Sequence, residues 1–397
     1  MPGLGHLTPP APSARHSIRT RLLLLALLPL GVVLPLILAA LTYWGGDYFD
    51  RILKTKVRSE LAIAHGYFER VSDGLGRSLS SLADSERLAR ALRASGGKSD
   101  DSISYLLDSV QLEQKLDFLH FFAVDRNTLT TNTRTAVLAA LAGKNSTSAE
   151  LFSADELRTL SPQLAERART PLLPTPNAKP DQREVETRGL IIHAASPVRD
   201  AQGKLLGVLE GGVLLNKNLD FIDHLNSIVY PEGALPFGSN GTTTLFLDDV
   251  RVATNVRLFG ETRAIGTRVS AAVHDAVLGE GKTWLDRAFV VSDWYVSAYE
   301  PLINSQGQRI GMLYVGFLEG PFSTVRKQVI AGVGGLFGLA MLIAGVFAAL
   351  WARRVFKPIE RMHATMHAIE NGQTEARVGS LETADELGVV ATHFDRL

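Results

Sequence analysis

Arginines and aromatic side chains recur in two groups along this chain of 397 residues. The later group holds Arg257, Arg263, Arg268, Trp294, Tyr295 and Tyr299; the earlier one holds His120, Asn132, Arg134, Arg188 and His193. A small carboxylate is bound by an arginine fork, or by several convergent donors, in a largely dry site. Both groups can supply such donors, and the later one adds an aromatic wall. The plain alternative for each residue is a surface arginine or a core aromatic, and spacing does not choose between the groups. Other chemistries lack their residues. The chain has no cysteine, which excludes disulfides, thiolate zinc sites, Fe–S clusters and cysteine nucleophiles. His120 and His193 stand apart from other metal-ligating residues, and there is no HExxH, Asp-rich calcium loop, GxSxG elbow or P-loop. No metal, no cofactor and no catalytic constellation is therefore expected. Lys+Arg and Asp+Glu are both 41, so the formal charge is zero and nothing points to nucleic acid.

The elements that would position these residues begin at the membrane. Residues 22–44 and 328–352 carry no charge, and each is long enough to cross a hydrocarbon core as a helix. The first is longer than a signal-peptide core and no clear A-x-A site follows it, so an uncleaved anchor is expected. Arg15, Arg19 and Arg21 precede the first span; Arg353, Arg354, Lys357 and Arg361 follow the second. By the positive-inside rule both termini face the cytoplasm of a bacterial inner membrane, with residues 45–327 outside it. Arg51, Lys54, Lys56 and Arg58 argue the other way, but a large domain translocates despite such charge.

Between the spans, apolar residues from Phe49 through Leu53, Val57, Leu61, Ala64, Phe68, Val71, Leu75 and Leu79 to Leu82 step by three and four. That spacing predicts one long amphipathic helix. A short helix is expected over 102–116, a strand–turn–strand over 118–134, mostly helix over 136–170, and a loop with four prolines over 171–187. A helix follows near 218–233, strands near 242–248 and 250–255, a helix near 268–279, and strands near 283–290 and 293–301. One stretch is written twice: Pro301, Gln306, Gly307, Gly311, Leu313 and Gly316 match Pro197, Gln202, Gly203, Gly207, Leu209 and Gly212 at one offset. TNTR at 131–134 and TNVR at 254–257 form a second echo. Asp or Asn followed by Gln-Gly is turn chemistry, so each copy predicts a glycine hairpin closing an antiparallel sheet of about five strands. Chance likeness between two glycine hairpins is the alternative.

In the tail, Ile359, Met362, Met366 and Ile369 form one heptad seam and Leu387, Val390, Phe394 and Leu397 a second, joined by a connector with Asn371, Gly372, Val378 and Gly379. One seam this short is unstable alone, so a homodimeric parallel four-helix bundle is expected.

Pro358 just after the second span, the first seam, the glycine-bearing connector and Asp385-Glu386-Leu387-Gly388 resemble a HAMP domain over 353–397. The outer region, with ATNVR at 253–257, GTRVSAAV at 266–273, DWYVSAYEPL at 293–302 and GMLYVGF at 311–317, resembles a double Cache sensor of the Cache_3–Cache_2 fusion type over about 48–320. The resemblance implies an α+β architecture in which two transmembrane helices flank a periplasmic double Cache, with PAS-like antiparallel sheets on a long N-terminal helix. Its segments are a tail (1–21), a span (22–44), a membrane-distal module (45–233), a membrane-proximal module (234–327), a span (328–352) and HAMP (353–397). It implies a signal-transduction receptor for a small periplasmic ligand, often a carboxylate or amino acid. Pro358 would start the first HAMP helix, and Glu386 and Gly388 would open the second, as the signal relay. Such sensors continue into a histidine kinase, a methyl-accepting coiled coil or a diguanylate cyclase; no such output follows within these residues, so this sequence reads as the non-enzymatic sensory half. Two rivals weaken on the same residues. A polysaccharide chain-length regulator lacks the paired seams and doubled hairpin, and an anchored hydrolase needs a catalytic set.

Overall fold

The computed structural model describes residues 18–95, 101–124, 134–379 and 386–396. They fall into two compact units, one of Phe49–Val325 and the other of residues 1–48 and 326–397.

The larger unit is organised on helix α1 (Ile18–Ala83), whose later part carries the expected stripe. Leu53, Val57, Leu61, Ala64, Phe68, Leu75 and Leu79 are all buried, and one hydrophobic core joins them to inward faces of two antiparallel sheets. Two short helices follow, α2 (Glu86–Ala94) and α3 (Asp101–Glu113). Ser85 caps α2 by accepting from the Leu88 amide.

The first sheet contains β1 (Phe118–Ala123), β2 (Ser146–Phe152), β5 (Gly189–Arg199) and β6 (Leu205–Leu214), ordered β1-β6-β5-β2. Helices α4 (Thr135–Leu141), α5 (Ala154–Leu160) and α6 (Pro162–Ala168) cover its other face. The second sheet contains β7 (Gly241–Leu247), β8 (Val250–Thr254), β11 (Trp284–Val290), β12 (Asp293–Ile303) and β13 (Arg309–Leu318), ordered β11-β12-β13-β7-β8. Helix α7 (Leu219–Val229) links the sheets. Short ladders pair β3 (Thr170–Pro171) with β4 (Val185–Glu186), and β9 (Arg257–Phe259) with β10 (Thr262–Arg263).

Among the described residues the first sheet has four strands, where about five were expected. The second strand expected within 118–134 falls on residues outside the described ones. Strand β2 lies inside a stretch expected to be mostly helical. Its ladder with β5, from Ser146↔Ala195 to Phe152↔Gly189, decides the matter, because strand pairing overrides local propensity. The helix expected near 268–279 is one turn, α8 (Ala271–His274), followed by a π turn (Asp275–Gly279).

The doubled stretch folds twice into the same hairpin. Asp200 and Asn304 each accept from the glycine amide three residues on, Gly203 at 2.9 Å and Gly307 at 3.0 Å. Asp200 Oδ1 accepts from the Gln202 and Lys204 amides, and Asn304 Oδ1 from those of Gln306 and Gln308. Gly203 and Gly307 have φ of 82° and 78°, a conformation that glycine adopts without a steric cost. A register shift falls at Val198/Arg199 in one copy and Leu302/Ile303 in the other. Further along, a Cβ on Gly207 would lie 2.3 Å from the Phe122 carbonyl oxygen, and one on Gly311 would lie 2.0 Å from that of Phe246. Gly207 and Gly311 are thus places where neighbouring strands come too close for any side chain.

In the smaller unit, α1 up to Tyr48 and α9 (Gly320–Glu370) are long and apolar enough to cross a membrane. A Cβ on Gly31 would touch Met341, and one on Gly334 would touch Leu38, each at 3.8 Å, so these glycines face the other helix of the same chain. Pro358 lies inside α9 rather than at a helix start. Its ring removes one helical N–H without ending the helix. Ile359, Met366 and Ile369 are exposed on α9. Glu386 and Gly388 lie in the first turn of α10 (Glu386–Phe394). Asp395 accepts from the Val378 and Gly379 amides and so fastens the connector to the end of that helix.

Gly311→Ala is expected to destabilise the larger unit by about 2–3 kcal/mol, because a backbone oxygen cannot swing aside as a side chain can. Denaturant unfolding checks this, with Gly307→Ala, where nothing lies within 4 Å, limited to the smaller cost of its backbone conformation.

Candidate functional site

Each sheet has one face on α1 and an opposite face turned toward its own helices and loops. The candidate residues sort onto these opposite faces.

On the second sheet, the ladder places Arg251 of β8 opposite Phe246 of β7. The two side chains share a face, and the guanidinium carbon lies 4.9 Å from the ring centre. Arg251 is 2% exposed. Its Nη1 donates to Thr267 Oγ1, which in turn donates to the Ala264 carbonyl. Its Nε is buried with no partner, and no described carboxylate forms an ion pair with it. Burial pulls its pKa down, opposed only by nearby Tyr299, Tyr314 and Tyr295. An unpaired buried cation is costly, so it marks a place where an anion would be welcome. Tyr299 and Tyr314 pack with ring centres 4.6 Å apart and planes tilted by 45°. Burial raises both hydroxyls, Tyr299 to about 12 even with Arg251 beside it. A cavity of about 20 Å³, room for a water, opens here between Arg251, Arg268, Ser270 and Tyr299.

Thr175 and Pro176 roof that cavity. They belong to the proline-rich segment expected as a loop, which remains mostly loop and lies as a strap on the second sheet. Leu173 N donates to Gly266 O, Ala271 N to Asn177 O, and Arg268 N to Thr175 Oγ1. Arg268 also holds Asp249 and the Lys179 carbonyl. Arg183 pairs with Asp181 and Glu186, and Arg188 with Glu186. The hydrogen bonds from Arg183 hold Asp181 down at about 2.

On the first sheet, His193 Nε2 meets Glu210 Oε1 at 2.7 Å, and Arg134 Nη1 meets the same oxygen at 3.0 Å. His193 and Glu210 are both fully buried, and the imidazole sits edge-on to Phe152. His120 lies across the ladder from Glu210, and burial lowers its pKa, with Glu210 opposing.

Of the residues named from sequence, Arg134 and His193 come together, and so do Arg268 and Tyr299, with Tyr295 half-buried beside Arg251. Three do not join a site. Arg257 is exposed and paired with Glu261. Arg263 makes a two-pronged contact with Asp223. Trp294 is 55% exposed and packs on Phe289 at the sheet edge. Asn132 lies outside the described residues. Arg251 and Glu210 were not singled out from sequence. Their signal was available: each is a lone charge inside an otherwise apolar strand, VRVAT and LLGVLEGGVL.

In chain order, two antiparallel sheets, the second with a buried cation on its outer face, stand between two helices long and apolar enough to cross a membrane. Residues 213–329 match the family model described as single Cache domain 3, and residues 352–397 match that of the HAMP domain. These segments are a Cache sensor domain and a HAMP domain, neither of which is catalytic. Among solved structures, the periplasmic domain of Vibrio cholerae LuxQ is similar at 14% identity and a TM-score of 0.37, covering 66% of this chain and 98% of that one. The ligand-binding domain of the Pseudomonas aeruginosa PAO1 amino acid chemoreceptor PctB, in complex with L-Arg, matches at 13% identity and a TM-score of 0.27, covering 68% and 94%. That of the Pseudomonas fluorescens chemoreceptor CtaA, in complex with L-leucine, matches at 10% and 0.30, covering 70% and 97%. No curated protein sequence matches the chain.

A tyrosine neutral in the fold up to about pH 12, but ionising near 10 when unfolded, adds stability below pH 10 that is lost as pH rises through 12. Tyr299 is expected to contribute about 3 kcal/mol to that loss. Denaturant midpoints measured across this window should fall less steeply for Tyr299→Phe than for the parent.

Proposed function

We propose that this protein is a homodimeric transmembrane receptor of the bacterial inner membrane that senses a small carboxylate, such as an organic acid or amino acid, outside the cytoplasm. Residues 45–233 and 234–327 serve as its membrane-distal and membrane-proximal modules, and both termini are cytoplasmic. The exposed first seam of α9 supports a second copy as its partner. One observation carries the choice of ligand. Arg251, inside the segment that matches a Cache domain, is a buried cation with an unpartnered Nε and no carboxylate of its own among the described residues. An anion entering beneath the Thr175–Pro176 strap would supply the missing charge, and Arg268 and Ser270 line the same cavity. Because the cavity now holds little more than a water, binding has to lift or reseat the strap. The bound and unbound forms then differ in shape, which is what a ligand needs in order to shift a conformational equilibrium. Strand β13 ends at Leu318 and α9 begins at Gly320, so a shift of the sheet passes by covalent connection into the second span and the HAMP segment. The output lies with whatever cytoplasmic partner or domain reads that segment.

In a thermal-shift screen of the full chain in detergent against organic acids and amino acids, a specific carboxylate should raise the melting point by mass action, the folded form being stabilised by about 3 kcal/mol at a hundredfold excess over Kd. Arg251→Met keeps the volume and removes the buried charge. It should raise the melting point of the unliganded protein and abolish the carboxylate response. Unchanged carboxylate binding in that variant refutes the site. Protease accessibility in spheroplasts should place position 200 outside the membrane and position 380 inside; finding both on one side refutes the orientation.

A further inference from the structure

The end of the second sheet from which β13 leaves for α9 carries aromatic side chains that the fold leaves uncovered. Two loops present them. In the hairpin between β11 and β12, Phe289 and Trp294 face each other across the ladder, 39% and 55% exposed, with ring centres 5.7 Å apart. In the loop before β7, Phe237 is 56% exposed, and its ring lies 5.8 Å from that of Phe322 in the first turn of α9. Both loops are bonded to the end of β13. Glu319 N donates to Trp294 O at 3.0 Å, Leu318 N to Asn240 O at 3.2 Å, and Ser239 Oγ to Leu318 O at 2.8 Å. Each loop also holds a bulky apolar residue in the left-handed region, Phe237 at φ 61° and Val291 at φ 60°, where glycine would cost less. Exposed rings on strained loops are a loss of stability in water, and such a patch marks a surface that something covers.

The chain itself says what lies there. Trp44 ends the first uncharged run and Gln328 opens the second, each in a helix long and apolar enough to cross a membrane. Phe322 stands six residues before Gln328 in one unbroken helix, about 9 Å along its axis. Asp50 stands six residues after Trp44 on α1, again about 9 Å, and Arg287 of β11 holds it at 2.9 Å. Strand β11 runs parallel to β13, since β12 is antiparallel to both, so Phe289 lies about 7 Å nearer the spans than Arg287. The polar layer outside the hydrocarbon core is about 5–8 Å deep on each side. The three rings therefore fall within reach of that layer, the depth at which aromatic side chains settle in membranes. The charges agree. Of the cations that follow the first span, Lys54 and Lys56 pair with Asp286 and Glu60, whereas Arg51 is exposed with no ion pair among the described residues. The same holds for Arg326 and Lys327, just ahead of the second span.

We propose that this rim rests on the lipid surface, with Phe237, Phe289 and Trp294 in the headgroup layer and with Arg51, Arg326 and Lys327 paired with lipid phosphates. The partner is the bilayer that holds the spans. The seat has a loop on each side of β13, so the second sheet cannot tilt on the membrane without lifting one of them out of lipid. Lipid thus takes part in setting the angle at which β13 passes into α9. The proposal rests on the two spans crossing a bilayer and not on the ligand met by Arg251.

The test uses the full chain in lipid nanodiscs. Its lack of cysteine makes single spin labels clean. A label on Ser292→Cys, at the exposed tip of the β11–β12 hairpin, should be relaxed more by oxygen, which concentrates in lipid, relative to a water-soluble nickel chelate, than a label on Gln306→Cys. Gln306 lies past the far end of β12, about 35 Å away along the strand. Adding Phe237→Ser and Trp294→Ser should bring the Ser292 ratio down toward that of Gln306. In unlabelled protein, the emission lost in lipid brominated high on its acyl chains should be greater for the parent than for Trp294→Phe. The loss that remains comes from Trp44 and Trp351 and reports the spans, so a failed rim is told apart from failed spans. Equal ratios at the two labels, or equal emission losses in parent and variant, overturn the proposal. A Ser292 label shielded from both relaxing agents means a protein cover, such as a second copy of the chain, and overturns it as well.

Discussion

The larger unit depends on one apolar stripe. Side chains of α1 from Leu53 to Leu79 are buried in a single core that takes in the inner faces of both sheets. A helix that serves two sheets cannot satisfy one and slide along the other, because close-packed interiors have a few discrete arrangements and little compliance between them. Polar contacts along the same helix fix its rotation. Lys54 meets Asp286 at 2.9 Å, Asp50 meets Arg287 at 2.9 Å, and His65 meets Glu300 at 2.8 Å. At half-exposed sites such pairs add little stability, and their contribution is register.

The strap and the hairpin turn follow from that shared core. With both sheets held on one rod, the outer face of each sheet lies within reach of a segment from the other. Thr175 and Pro176 roof the Arg251 cavity, and Asn304 and Gln306 wall a cleft beside Glu150. Gly266, with φ of 84°, shows how closely the strap lies, since a Cβ there would fall 2.1 Å from the Pro171 carbonyl oxygen. A change of shape on either outer face therefore meets residues that belong to the other sheet. The groups left unsatisfied in the two places, Arg251 Nε and His193 Nδ1, are local losses of stability that the apolar core of the rest offsets.

Much of this was legible in the sequence wherever it rested on period or on backbone geometry. The α1 stripe, the two spans, the strands of the second module and the doubled hairpin all follow from apolar spacing and from glycines at fixed positions. The hairpins match down to the shared register shift because Asp200 and Asn304 perform the same backbone capping. What was not legible needed partners distant in the chain. STSAELF gives no clear strand signal until β5 lies beside it. Arg257, Arg263 and Arg268 look alike on the page, and only the fold shows them paired with Glu261, Asp223 and Asp249. Arg251 and Glu210 carried the better signal, a charge alone in a strand apolar on both faces, and counting arginines near aromatics passed over it.

The Arg251 cavity makes a definite claim about coupling. If an anion at Arg251 lifts the strap, the change acts on the second sheet through Arg268, whose amide donates to Thr175 Oγ1. Linkage then requires that any effector which favours one arrangement of β12 and β13 changes the affinity for that anion by the same factor as the anion changes its own, whatever the route between them. The sign follows from the shared sheet: ligands that favour the same arrangement help each other, and ligands that favour opposite arrangements compete without touching.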